Sequence, residues 1–181
     1  KDKEILQRLA AEVAEIAVLS IHREKKELWK KMNGLEQVKP MVYIYQIPWH
    51  EMNVNGELTL QTENNFCRRL ETSLRRTIYQ WKHMPGDMIV EPFIKTGPVI
   101  HNNEFRIGEE VRVVRTDDKS NIVSRDFNSQ IQDESDLEKI QMPKITYNEE
   151  ATEKRYHLLQ DIFDGILEVK KAGHPGFWFA P

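Results

Sequence analysis

Cysteine occurs once in 181 residues, so no internal disulfide can form and the lone thiol, Cys67, suits a reducing compartment. Long apolar runs are missing as well. None approaches the roughly 18 to 20 residues that a helix needs to span a bilayer, and the charged start, apolar stretch and small-residue cleavage site of a secretory signal are not present. The chain therefore reads as cytoplasmic. Charge of one sign is scarce: 26 Lys and Arg against 29 Asp and Glu leave a net charge of -3 and a pI near 6.1. That balance gives no global pull toward nucleic acid or an anionic membrane. Glycine-rich phosphate loops, an H-E-x-x-H helix and a G-x-S-x-G elbow are all lacking, which removes the usual sequence support for nucleotide-dependent chemistry.

What is present is ordinary globular composition, 39% hydrophobic and 30% charged, enough for one domain with a core. Ile5, Leu9, Val13, Ile16 and Ala17 recur at helical spacing, and the spacing predicts one long helix over residues 3 to 33, closed by Asn33-Gly34. Residues 41 to 47, "MVYIYQI", are apolar and rich in β-branched and aromatic residues between Pro40 and Pro48, the pattern of a buried strand. Thr62 is placed to cap a helix whose Phe66, Leu70, Leu74, Ile78 and Trp81 form one stripe. "MPGD" ends that helix, and "MIVEPFI" at residues 88 to 94 reads as a second strand.

From residue 97 to 130 the strands become shorter and more polar, with a hairpin-like turn over residues 117 to 121. Asp133 is expected to cap a short helix, and Asn148 opens a longer one that ends at Gly165. A third apolar segment, "ILEVKKAGHPGFWFAP", follows. Strands alternating with helices predict an α/β fold with parallel strands, whose carboxyl ends would gather the chemistry.

Candidate residues lie near those ends. His50 and Glu51 follow the first strand as a proton donor and acceptor pair, as one metal ligand completed from elsewhere, or as a loop histidine and a solvated glutamate, and neighbours on extended backbone point to opposite sides. Glu91, flanked by apolar residues, would have to be paired or held neutral, as a structural ion pair or a catalytic acid. Trp49 and Trp178 offer apolar walls for a substrate. Cys67 beside Arg68 and Arg69 has no zinc-spaced partner and reads as packing. The four arginines of the second helix, together with Glu71, read as a solvated helix face.

In order, spacing and setting, "KPMVYIYQIPWHEM", "MPGDMIVEPFI" and "ILEVKKAGHPGFWFAP" resemble the first three barrel strands of the uroporphyrinogen decarboxylase family. The likeness covers residues 36 to 181 and leaves residues 1 to 35 as a helical extension. It implies the N-terminal portion of a (β/α)8 barrel with about three parallel strands, and a small β-rich insertion at residues 97 to 130. It also implies lyase chemistry without a cofactor, or methyl transfer with zinc and a corrinoid protein in the complete protein. In that setting Glu91 is the expected acid or base and His50 orients or protonates the ligand, with Glu51 beside it. Trp49 and Trp178 are expected to line the substrate.

Two departures separate this chain from a true decarboxylase. An arginine-bearing segment of the type M-R-Q-A-G-R is replaced by "IYQIPWHEM", and an F-S-D-I-L-like stretch by "VEPFI". The resemblance implies no metal ligand in this segment. It does imply an organic substrate, completed by the missing barrel half or by a homo-oligomer. The competing expectation is a freestanding, non-catalytic α+β module that binds or regulates a partner, because open strand edges must be covered by something.

Overall fold

The computed structural model describes residues 1–102, 105, 110–115 and 123–173. The chain divides into two compact units. Residues 1–96 and 154–172 form the first, and residues 97–153, with the segment from 173, belong to the second.

The first unit is built on helices. α1, Asp2–Ala17, and α2, Ser20–Asn33, replace the single helix expected over residues 3 to 33. The break falls at Leu19, which takes extended backbone with φ -62° and ψ 135°. Its cause is a change in what the two halves cover. α1 buries Leu6, Leu9, Ala10, Val13 and Ile16, whereas α2 buries His22 and Lys25, whose polar atoms need partners rather than a hydrocarbon core.

α3, Asn65–His83, begins at Asn64 and not at Thr62: the Asn64 side chain accepts from the amide of Phe66 at 2.8 Å. Thr62 is occupied elsewhere, its hydroxyl donating to Glu71 at 2.7 Å. Leu74 and Ile78 of α3 pack with the α1 stripe, with Met88 and Val90, with Leu159, Ile162 and Phe163 of a later helix, and with Leu167. Residues 1 to 35 thus supply a large share of the core.

The strands do not form the expected barrel segment. β1, Phe93–Thr96, pairs in parallel with β6, Glu168–Lys171, and this sheet ends there at two strands. Residues 41 to 47, expected to be the first barrel strand, join no ladder. The backbone groups that a neighbouring strand would hold are taken instead by the side chains of Asp87 and Gln80. The α/β expectation survives only as a mixed fold of helices and two-stranded sheets, and no parallel three-strand arrangement is present among the described residues.

The second unit contains two antiparallel pairs. β2, Ile100–Asn102, pairs with β5, Ile145–Tyr147. β3, Glu110–Val114, pairs with β4, Ser124–Asn128, in a register running from Glu110 opposite Asn128 to Val114 opposite Ser124. A 3-10 helix at Glu134–Lys139 is closed by a capping box on Asp133. α4, Glu149–Phe163, starts where the Asn148 side chain accepts from the amide of Ala151 at 2.9 Å. Thr152 is the one buried residue of this unit among those described. Its hydroxyl accepts from the amide of Val99 and donates to the carbonyl of Asn148.

Candidate functional site

From residue 36 through 48 the chain runs without helix, turn or bend, and the placement of this stretch is dictated by the "MPGD" turn. Gly86 has φ +45°, and a Cβ there would lie 2.8 Å from the carbonyl oxygen of Val42, so only glycine allows this approach. Asp87 then takes both backbone groups of Val42. Its carboxylate accepts from the Val42 amide at 2.9 Å, and its own amide donates to the Val42 carbonyl at 2.7 Å. Lys39 adds an ion pair to the same carboxylate at 2.9 Å. The Val42 amide first, and the Lys39 ammonium second, hold the Asp87 carboxyl below the usual range. Two residues on, the Gln80 side-chain amide donates to the carbonyl of Ile44.

Alternate residues of extended backbone turn their N–H and C=O to opposite edges. Val42 and Ile44 face α3 and the Asp87 turn. The backbone groups of Tyr43 and Tyr45 turn to the opposite edge and have no hydrogen-bond partner among the described residues. The side chains are open too: Val42 is 54%, Tyr43 55% and Tyr45 73% exposed. One edge of the segment is therefore tied down, and the other has no hydrogen-bond partner at Tyr43 and Tyr45 among the described residues, its Ile47 carbonyl accepting from the Trp49 amide at 2.8 Å.

α2 braces the turn from behind. Lys25 donates to the Gly86 carbonyl at 2.8 Å and lies over the Trp81 ring, and the Trp29 indole donates to the Asp87 carbonyl at 2.8 Å. His22 is buried against Trp81, with Nδ1 accepting from the Val90 amide at 3.3 Å. Burial lowers the His22 pKa, opposed first by a hydrogen bond with the Ile16 backbone and reinforced by the charges of Lys25 and Lys26.

His50 and Glu51 come together in the structure, while Glu91 has neighbours of its own. A turn at residues 49 to 51 replaces extended backbone and brings His50 Nε2 within 3.3 Å of Glu51 Oε1, so the two do not point apart. Trp49 meets Tyr79 edge-on at 6.1 Å and carries Arg76 over its face at 4.9 Å. Glu91 lies ahead of β1 rather than inside a strand and is ion-paired with Lys26 at 2.7 Å. It lines a cavity of about 390 Å³ with Tyr43, Thr77, Gln80 and Lys95, whose lining includes neither Trp49, His50 nor Glu51. Glu91 thus shares this cavity with Tyr43 and residues of α3 rather than with Trp49, His50 or Glu51. Trp178 lies outside the described residues.

Glu71 also departs from its sequence reading. It is fully buried, not solvated, and accepts from the amides of Gln61 and Thr62, the Thr62 hydroxyl and the Arg75 guanidinium. Burial pushes its pKa up, but these donors outweigh burial and leave it lowered. With Arg75 donating to the Glu57 carbonyl and Arg68 to that of Thr62, α3 grips the loop before it. Burial, with Asp2 adding to it, raises the Cys67 thiol, in line with a packing role.

Among the described residues no three His, Cys, Asp or Glu side chains stand close enough to hold a metal ion. Nor, among them, is any helix long and apolar enough to cross a membrane. No family model, curated protein or solved structure matches the chain. The likeness to uroporphyrinogen decarboxylases rests on the quoted segments alone.

Proposed function

We propose that this chain is a docking module that accepts an extended polypeptide strand along residues 41 to 47. The observation behind this reading is the asymmetry of that segment: Asp87 and Gln80 satisfy one edge, while Tyr43 and Tyr45 leave the other unpartnered with their side chains exposed. Strand addition uses such an edge, with main-chain bonds supplying affinity and alternate side chains supplying selectivity. Anchoring to Asp87 pre-orders the acceptor, which lowers the entropy cost of docking.

A displayed library of extended peptides, panned against the immobilised chain, tests this. Binders are expected to slow hydrogen exchange at the Tyr43 and Tyr45 amides and to be lost with Tyr45→Pro, which removes a donor from the open edge. Binders that leave both amides exchanging, or that survive Tyr45→Pro, contradict the reading.

A second reading keeps an organic substrate, and with it lyase or methyl-transfer chemistry. It is favoured by Glu91 on a cavity of about 390 Å³, a volume within the range of small-ligand sites, roughly 300 to 1,000 Å³. Glu91→Gln separates the two, because unchanged turnover with an intact fold rejects a proton-transfer role for Glu91.

A further inference from the structure

We infer that the strand received along residues 41 to 47 is the same segment of a second copy, paired antiparallel about a two-fold axis through Ile44. This rests on the strand-accepting reading above and adds the identity of the occupant.

The inference comes from the sequence of the edge and from which of its residues face outward. An axis at Ile44 sets Met41 opposite Ile47, Val42 opposite Gln46 and Tyr43 opposite Tyr45. Pro40 falls opposite Pro48, and both share the non-hydrogen-bonded positions of Val42 and Ile44, where a missing N–H costs no inter-strand bond. Apart from Val42 against Gln46, the paired positions match in residue character, as a self-complementary, isologous interface favours.

Backbone geometry agrees with this register. The unpartnered groups belong to Tyr43 and Tyr45, and in antiparallel pairing these two residues would exchange both bonds across the axis. Ile44, whose carbonyl is held by Gln80, would meet its own copy in the non-hydrogen-bonded position. Side chains agree as well. Both tyrosines stand on one face of the strand, where each would lie across from the other's counterpart as an aromatic cross-strand pair.

Charge does not oppose the pairing. The chain carries a net -3, yet no residue from 40 through 48 is charged, so like charges never sit opposite one another. The nearest cation, Lys39, is held by Asp87.

A cysteine scan in a Cys67→Ser background tests the register. Non-hydrogen-bonded antiparallel partners have Cα atoms about 4.5 Å apart, inside the span of about 4.4 to 6.8 Å that a disulfide accepts. Ile44→Cys is therefore expected to form a covalent dimer on mild oxidation. Tyr43→Cys alone is expected to cross-link at least tenfold less, and an equal mixture of Tyr43→Cys and Tyr45→Cys chains to give the mixed dimer. Gln80 bonds the backbone carbonyl of Ile44, which substitution does not remove, and Ile44 is 36% exposed, so the scan is expected to leave the fold in place.

If Ile44→Cys stays unlinked and the parent chain sediments as a monomer at every concentration, self-pairing is overturned. Equal linking of Tyr43→Cys with itself would overturn the antiparallel register. Library peptides that still protect the Tyr43 and Tyr45 amides in that case would leave the strand-accepting reading standing. Their absence would remove it too.

Discussion

Glu71 shows how much one residue can decide. Its carboxylate has no exposure to solvent and gathers four donors from Gln61, Thr62 and Arg75, so it costs desolvation and returns a fixed entry into α3. Removing one partner of such a buried pair is destabilising by about 3 to 5 kcal/mol. Glu71→Gln, which keeps the shape but donates where an acceptor is needed, is expected to cost about 3 kcal/mol in urea unfolding. A loss below the error of that measurement would contradict the assignment. The pH dependence follows in sign. The folded pKa is lowered, so the stabilisation is complete above the unfolded glutamate value and is lost as pH falls through the folded one. Acid unfolding of Glu71→Gln should accordingly be shallower than that of the parent.

His22 behaves the same way at higher pH. Its folded pKa is lowered, so the unfolded chain binds the proton more readily, and stability declines as pH drops below the unfolded histidine value, about 6.5. A substitution such as His22→Gln should flatten the stability curve between neutral pH and mildly acidic pH. An unchanged slope would show that His22 titrates as it does in the unfolded chain.

At the scale of elements, the segment over residues 41 to 47 depends on the turn that holds it. Asp87→Ala deletes the acceptor for Val42 and the ion pair with Lys39. The expected cost is about 2 kcal/mol, with the Val42 amide exchanging as fast as that of Tyr43. Retained protection at Val42 would mean that something other than Asp87 holds the segment.

The sequence made parts of this legible. The stripe of α3, the opening of α4 at Asn148 and the Asp133 cap follow from spacing and local chemistry that act within a few residues. The barrel did not, because "MVYIYQI" carries a strand's composition whether its neighbour is another strand or an aspartate side chain. The "MPGD" turn was read as a helix stop. The signal for more was the aspartate following glycine, since Asp commonly bonds to backbone amides at turns. Glu71 was misread because helical spacing alone puts it among arginines, while the loop that needs its oxygens comes from residues 57 to 63. The candidate site was legible as a stretch worth attention, but its expected chemistry centred on His50, Glu51 and Glu91, of which the structure brings His50 and Glu51 together and pairs Glu91 with Lys26.

At the scale of the whole molecule, the first unit has its core in three helices and the residues that flank a two-stranded sheet. Such a unit has little sheet of its own, so the exposed apolar strand at residues 41 to 47 stands out as surface that a partner would cover. Residue-resolved hydrogen exchange across a dilution series tests this most directly. The account predicts that in dilute solution the Val42 amide is protected while those of Tyr43 and Tyr45 exchange freely, and that both tyrosine amides slow together as concentration rises. Tyrosine amides protected at every dilution, or free at every concentration and with every strand offered, would contradict it.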